Sequence, residues 1–121
     1  MRITLISTDL FASGSDRLNA SYGPLVHRIG GALEQLPGRI LIVGHTDDQP
    51  IRSFRFTDNY DLSRQRAQRV AELMKQDVTN AARIDFTGVG PGEPRYLPAD
   101  LPENRARNRR VEIIFRPEAS L

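Results

Sequence analysis

Four short segments of the chain carry the apolar pattern of β-strands. Residues 2–7 and 83–90 alternate apolar and polar side chains, and residues 111–115 form a third apolar segment. Residues 39–43 (RILIV) are a nearly continuous aliphatic run that is too short for a helix. This run predicts a strand that is buried on both faces at the centre of a sheet.

Two longer stretches repeat apolar residues at steps of three and four, which is typical of amphipathic helices. We expect Ser21 to cap the first helix, and either Asn59 or Asp61 to cap the second. A loop rich in Pro, Gly and charge spans 91–108 and is expected to hold a short helical turn at 103–108. The predicted inner faces of the two helices comprise Tyr22, Leu25, Val26, Ile29, Leu33 and Leu36 in the first, and Leu62, Ala67, Val70, Ala71, Leu73 and Met74 in the second.

The order of these elements predicts an α/β (α+β) two-layer sandwich. We expect a mixed sheet of about four strands with the helices packed on one face. A chain of 121 residues is long enough for one modest core and too short for two, so residues 1–121 are expected to form a single domain.

The composition narrows the function classes without selecting one. The chain is 39% hydrophobic and 26% charged, close to the average for a globular domain, and its formal charge of +2 does not by itself indicate a nucleic-acid partner. Cysteine is absent, which excludes disulfides, thiolate metal sites and a cysteine nucleophile. No segment reaches the length of a membrane span, so any export or anchoring segment is expected upstream of Met1.

The richest chemistry follows the central predicted strand, in the loop 44–58. Asp47 lies just beyond the apolar end of that strand, and Arg66 lies on or beside the inner face of the second helix. A buried arginine needs an anionic partner, and one interpretation is that Asp47 and Arg66 simply pair with each other or are solvated. The other is that they stand apart and bind the two ends of a zwitterion, an amino-acid head group being the simplest such ligand.

Three other types of site are compatible with parts of the sequence. His45, Asp47 and Asp48 could bind a metal, but adjacent carboxylates on a turn are usually solvated, so we expect no metal. Ser63, His45 and Asp47 could form a hydrolytic triad, but no nucleophile-elbow sequence surrounds Ser63 and catalysis is not expected. The arginines between Arg105 and Arg110 favour nucleic acid, although an arginine network that locks the last loop to the sheet explains them better.

Four ordered motifs carry a family resemblance: GHTDD, NYDLSRQRA, FTGVGPGEP and ENRARNRRVEIIF, spread over residues 44–115. Together they resemble the OmpA-like (OmpA/MotB carboxyl-terminal) peptidoglycan-binding domain. The resemblance implies a fold with the element order βαβαβ(α)β. It also implies a noncatalytic module without a cofactor, which binds the diaminopimelate-containing stem peptide of peptidoglycan.

The resemblance assigns roles to individual residues. Asp47 and Arg66 occupy the positions of the motif aspartate and the helix arginine that hold the ligand's amino-acid head. The resemblance also places Asn59 and Leu62 beside the pocket, and Asn108 and Arg109 in support of it. Apart from the resemblance, we expect backbone amides around Thr46 to Asp48 to contribute to binding, and Phe11, as an exposed aromatic, to support the site.

The loop 48–58 departs from the common family pattern. A loop of this length resembles the loops of two subgroups: the flagellar stator protein MotB, and TssL, the inner-membrane subunit of type VI secretion. The chain resembles TssL more closely than MotB. The TssL resemblance implies a periplasmic domain of an inner-membrane-anchored protein. Its expected partners are peptidoglycan and other subunits of the secretion complex, and no nucleic acid. A homodimer is a further expectation. The loop residues that could cover the pocket or extend it toward glycan are Arg52, Phe54, Arg55 and Phe56.

Overall fold

A four-stranded mixed sheet with helices packed against it forms the domain. The computed structural model describes residues 1–12, 14–51 and 54–118, so Arg52 of the loop lies outside the described residues. In chain order the strands and helices are β1 Arg2–Ile6, α1 Ser7–Leu10, α2 Gly23–Glu34, β2 Gly38–His45, α3 Asn59–Met74, β3 Ile84–Gly88, α4 Pro102–Asn108 and β4 Arg110–Pro117, with 3-10 turns at Ala20–Tyr22, Lys75–Asp77 and Ala81–Arg83. The predicted α+β sandwich is confirmed.

The sheet has the order β1-β4-β2-β3 and a single parallel pair. β4 lies antiparallel to both β1 and β2, whereas β2 and β3 are parallel and are connected by the crossover helix α3. Since the carboxyl ends of β2 and β3 meet at the same edge, the loops that follow them are neighbours.

The core lies between one face of the sheet and the helices α2 and α3. Ile40 and Ile42 of β2 pack with Val26 of α2 and Val70 and Met74 of α3, and each of these side chains is at most 1% exposed. In contrast, Leu25 and Leu36 of the predicted first stripe are exposed.

The structure corrects both predicted helix caps. Asp58 caps α3, its carboxylate accepting from the amide of Asp61 at 2.8 Å, because Asp58 is extended while Asn59 has already entered the helix. Asn19 and not Ser21 caps the 3-10 turn that precedes α2, and its side chain accepts from the amide of Ser21 at 3.2 Å.

Strand β2 is central but is not covered by helices on both faces. Leu41 is half-buried and Arg39 is exposed, because α2 and α3 lie on the other face of the sheet. The aliphatic run correctly predicted a central strand, but the face of β2 that is turned away from α2 and α3 is open at one end. No helix in the described ranges is long and apolar enough to cross a membrane.

The first turns of α3 lie directly on two glycines of the sheet. A methyl group added to Gly44 of β2 would come within 2.0 Å of the carbonyl oxygen of Ser63, and one added to Gly88 of β3 would come within 2.2 Å of the amide nitrogen of Arg64. Both contacts are with the helix backbone, which cannot move aside without shifting α3 as a whole. The two glycines therefore set the height of α3 above the sheet.

We expect Gly44→Ala to lower the free energy of unfolding by about 3 kcal/mol, the cost of a strong backbone overlap in a packed region. Chemical denaturation with urea measures it. Gly31→Ala is the matched control, since Gly31 lies in α2 with no atom near its added methyl, and it should stabilise by roughly 0.5–1 kcal/mol. Equal stability of Gly44→Ala and the wild type would contradict the close packing of α3.

Candidate functional site

The candidate site begins where β2 ends and its loop meets the loop after β3. The amide of Val89 donates to the carbonyl of Gly44 at 3.0 Å, and the amide of Thr46 donates to the carbonyl of Gly90 at 2.9 Å. The Thr46 hydroxyl donates to the carbonyl of Asp47 at 2.9 Å. These bonds fix the position of Asp47, and they leave the Thr46 amide engaged within the protein.

Asp47 binds an arginine, but the arginine is Arg109 and not Arg66. Its Oδ2 accepts from Nη1 of Arg109 at 2.5 Å, and its Oδ1 accepts from the amide of Gln49 at 3.0 Å. Both carboxylate oxygens are therefore occupied by protein donors. Arg109, which the sequence indicated only as a supporting residue, contacts the candidate binding carboxylate directly.

Arg66 is buried and its guanidinium meets carbonyl oxygens. It is 4% exposed; Nε donates to the carbonyl of Ser15 at 2.8 Å and Nη2 donates to that of Ala12 at 3.3 Å. Its guanidinium carbon lies 5.0 Å from the centre of the Phe11 ring, a cation–π contact. Within the described part of the chain, no carboxylate lies within ion-pair distance of this guanidinium.

The electrostatics of Arg66 show that it is incompletely compensated. Burial and the neighbouring charge of Arg109 lower the pKa of Arg66 to about 10, against the opposing effect of Asp16 and Asp47. Arg66 is still charged at neutral pH. A buried cation that has only dipoles and a ring as direct partners is favoured by an added anion.

A second ion pair lies at the exposed rim. Nε of Arg105 donates to Oδ1 of Asp48 at 2.8 Å. This hydrogen bond lowers the pKa of Asp48 and raises that of Arg105. Because both groups are open to solvent, the pair positions the α4 side of the rim more than it stabilises the fold.

Asn59 and Leu62 lie at the start of α3, beside the Asp47 turn. Leu62 is buried in the packing of the helix. The Nδ2 group of Asn59 donates to the carbonyl of Gln49 at 2.8 Å, which ties the helix to the turn that holds Asp47. Its buried Oδ1 has no donor among the described residues.

The remaining support residues hold loops. Phe11 is 4% exposed and packs under Arg66, so the expectation of an exposed aromatic is wrong; its backbone forms an isolated β-bridge with Leu18. Asn108 is fully buried, and its Oδ1 accepts from the amides of Arg95 and Tyr96 at 3.0 and 2.9 Å. Asn108 therefore fixes the loop between β3 and α4.

In the long loop, Phe56 is buried and Phe54 is fully exposed. Arg55 donates to the buried carboxylate of Asp16 at 3.1 Å, and Arg69 donates to the other oxygen of that carboxylate at 3.3 Å. Asp16 was missed by the sequence reasoning, because an acidic residue in a turn-like segment is ordinarily solvated.

The residues proposed for a metal or a catalytic triad do not converge. Ser63 is buried, its hydroxyl donating to the carbonyl of Tyr60 at 3.0 Å and accepting from the amide of Gly90 at 3.0 Å. His45 lies on the opposite face of the sheet, with Nε2 at 3.4 Å from Glu112. In the ranges that the structure describes, no three His, Cys, Asp or Glu side chains are placed to hold a metal ion.

The fold is that of a known class of domain, and the chain belongs to the OmpA family, whose model matches residues 10–109. Its structure is similar to that of the cell wall anchor of the type VI secretion system from Pseudomonas aeruginosa, with a TM-score of 0.89 and 38% identity over 97% of this chain and 81% of that one. The periplasmic domain of Helicobacter pylori MotB gives a TM-score of 0.86 and 35% identity over 98% of this chain and 76% of that one. Motility protein B of Helicobacter pylori (strain ATCC 700392 / 26695) is 36% identical over 108 residues, which is 88% of this chain and 42% of that protein. The chain thus spans less than half the length of this curated relative, and the predicted family is confirmed.

His45 generates a prediction about pH. Burial first, and then the charge of Arg110, lower the pKa of His45 to about 4 against the opposing effect of Glu112. In the unfolded chain a histidine has a pKa of about 6.5, so between pH 6.5 and 4 the unfolded state binds a proton that the folded state does not. Stability is therefore complete above this range and is lost as the pH falls through it.

We expect the free energy of unfolding to fall by about 2 kcal/mol between pH 7 and pH 5, a range above most carboxylate titration. His45→Gln should remove most of this fall. His27→Gln is the matched control, because His27 is the other histidine of the chain and is partly exposed on α2, and it should retain the fall. Denaturation with urea at pH 7, 6 and 5 gives the change of unfolding free energy with pH for the wild type and the two variants. If His45→Gln showed the same change as the wild type, the fall could not be assigned to His45.

Proposed function

We propose that this domain binds cell-wall peptidoglycan without catalysis, through the zwitterionic head of diaminopimelate in the stem peptide. The observation that supports it is the buried guanidinium of Arg66, which has no carboxylate partner in the described structure and is near enough to Asp47 to be influenced by its charge. A ligand with one ammonium and one carboxylate would complement both groups.

Binding by this route is an exchange of partners. The ligand ammonium takes the Asp47 oxygen that Arg109 now occupies, and the released guanidinium of Arg109 turns to the ligand carboxylate beside Arg66. Asp47 and Arg109 then each have an ionic partner before and after binding, and Arg66 gains one, so the exchange leaves no newly unpaired charge in a partly buried site. A planar guanidinium suits this role because it binds a carboxylate through two parallel hydrogen bonds.

The other candidate residues have supporting roles in this scheme. Asn59 holds the turn through Gln49 and offers a free acceptor oxygen, while Leu62 fixes the helix start. Thr46 positions Asp47, and Asp48 with its partner Arg105 orders the rim.

A clamp of this size should bind weakly, on the order of micromolar to millimolar. Display of many copies on an assembled complex raises the effective strength without new contacts. We therefore propose a periplasmic domain of an inner-membrane-anchored protein that fixes a multi-subunit complex to the wall. A type VI secretion complex is the first candidate, supported by the similarity to the Pseudomonas aeruginosa wall anchor, and a flagellar stator is the second, supported almost equally by the MotB relatives.

The arginine cluster at 105–110 does not favour the alternative of nucleic-acid binding. Arg105, Arg109 and Arg110 each bind a carboxylate, and the guanidinium of Arg107 lies 5.6 Å from the centre of the Tyr96 ring. Paired guanidinium groups have little positive charge left for a phosphate backbone.

We expect Asp47→Asn to weaken binding to insoluble diaminopimelate-type peptidoglycan by roughly 10- to 100-fold, because a hydrogen bond to a charged group contributes about 1.5–3 kcal/mol. Co-sedimentation over a range of peptidoglycan concentrations measures the change. Arg66→Lys, which keeps the positive charge but loses the planar guanidinium that can bind a carboxylate through two hydrogen bonds, should also weaken binding. Asp85→Asn is the matched control, since Asp85 is an exposed carboxylate of β3 that pairs with Arg39 away from the site. Sedimentation of Asp47→Asn at the level of the wild type would refute the proposed clamp.

The ligand assignment has a separate test. A wall that carries lysine in place of diaminopimelate presents an ammonium group without the adjoining carboxylate, so Arg66 would have no partner on it. We expect co-sedimentation with lysine-type peptidoglycan to be at least tenfold weaker, and free diaminopimelate to compete where a diamine without a carboxylate, at the same ionic strength, competes less. Equal binding to both walls would show that the glycan, not the amino-acid head, is recognised.

A further inference from the structure

The face of the sheet turned away from α2 and α3 holds a groove of about 490 Å³. We call it the open-face groove. Its floor is aliphatic and formed by Leu41 and Val43 of β2 and Ile114 of β4. The loop after β3 closes one end, where Glu93 accepts from Arg110 through its carbonyl at 3.1 Å and Arg95 donates to Thr4 of β1 at 3.0 Å. None of the residues that line the groove belongs to the wall-binding site.

The inner end of the groove is a buried polar cluster. Nε of Arg110 donates to Glu112 at 2.6 Å. Burial alone would raise the pKa of Glu112, but Arg110, together with His45 and Arg2, outweighs it and lowers this pKa. His45 also lines the groove there, and its buried Nδ1 has no partner among the described residues. Because these acidic and basic groups neutralise each other, the inner end of the groove carries little net charge.

The outer end of the groove is cationic. Arg39 and Arg116 are directly opposite each other on β2 and β4, a like-charge pairing that destabilises a sheet unless an anion lies nearby. Arg39 is offset by Asp85 at 2.6 Å and Arg2 by Glu112 at 3.0 Å. Arg116 is exposed and has no ion pair with any residue that the structure describes.

We propose that the open-face groove is the docking surface for a partner protein segment that carries both aliphatic and carboxylate side chains. Aliphatic side chains fit the floor of Leu41, Val43 and Ile114, and carboxylates fit the guanidinium groups of Arg95 and Arg116 at the rim. Among the described residues that line the groove there is no Phe, Tyr or Trp on which bases could stack, so the lining favours a peptide over single-stranded nucleic acid. This inference does not depend on the wall-binding proposal, since it uses a different face of the sheet.

The test uses a fluorescent decapeptide of alternating leucine and glutamate, with binding followed by anisotropy. Two control peptides alternate leucine with lysine and serine with glutamate, so that each removes one of the two complementary features. We expect both controls to bind at least tenfold more weakly. Equal binding of the serine peptide would overturn the proposal, because it would leave only non-specific charge attraction.

Arg116→Glu is the informative variant. It places an opposite charge against Arg39, so the fold should be undisturbed, and we expect at least a tenfold loss of affinity for the leucine–glutamate peptide. Arg28→Glu makes the same change of charge on the exposed helix face and should leave affinity within twofold of the wild type. Loss of affinity in both variants, or in neither, would refute docking in the groove.

Two further outcomes would replace the partner segment with another occupant. Displacement of the peptide by an equal concentration of a single-stranded oligonucleotide would indicate a nucleic-acid surface. A dimer in sedimentation velocity that Arg116→Glu dissociates would indicate a second copy of this chain. Co-sedimentation of Arg116→Glu with peptidoglycan should match the wild type, and Asp47→Asn should keep its affinity for the peptide, which separates failure of this proposal from failure of the wall clamp.

Discussion

The contact on which the rest of the structure depends is the backbone-to-backbone approach of α3 to Gly44 and Gly88. Side chains normally hold a helix well above a sheet, but here Ser63 and Arg64 lie at distances that no Cβ atom would permit. This approach allows the hydroxyl of Ser63 to accept from the amide of Gly90, and so it joins the helix to the loop after β3. The same loop then accepts the amide of Thr46, so the helix, both strands and both loops are fixed relative to one another.

A buried charge is the main consequence of that geometry. Because α3 starts so close to the sheet, Arg66 projects into protein and its guanidinium is met by carbonyls of the segment after α1. Carbonyl dipoles and an aromatic ring are weaker compensation than a carboxylate, and burial together with Arg109 lowers the pKa of Arg66. The protein keeps a cation where a hydrophobic residue would often cost less, and the anionic ligand that we propose would give this cation a partner.

Much of this was predictable from the sequence, and the failures have physical causes. The strands and the two long helices follow from periodicity, which reports burial on one side of an element. The caps were misassigned because Asp58, Asn59 and Asp61 are all suitable by residue type, and only the backbone conformation decides among them. Pairing was the least predictable feature: Asp47 lies 62 residues from Arg109, and a single sequence has no signal for which arginine reaches which carboxylate. The Phe11 ring was misjudged for the same reason, since its burial depends on a segment brought over it by the fold.

The sheet separates the two proposed binding surfaces by its own geometry. Successive side chains of β2 point to opposite faces, so Ile40 and Ile42 support α3 while Leu41 and Val43 form the floor of the groove. Asp47 comes after the strand has ended, at the edge where the loops meet. A domain that holds a wall fragment at its edge and a partner segment across its open face can transmit force between the two through the hydrogen bonds of one sheet. That arrangement would suit an anchor, because neither proposed ligand has to displace the other and a load between them would run along β2 and β4, which are among the best buried strands of the domain.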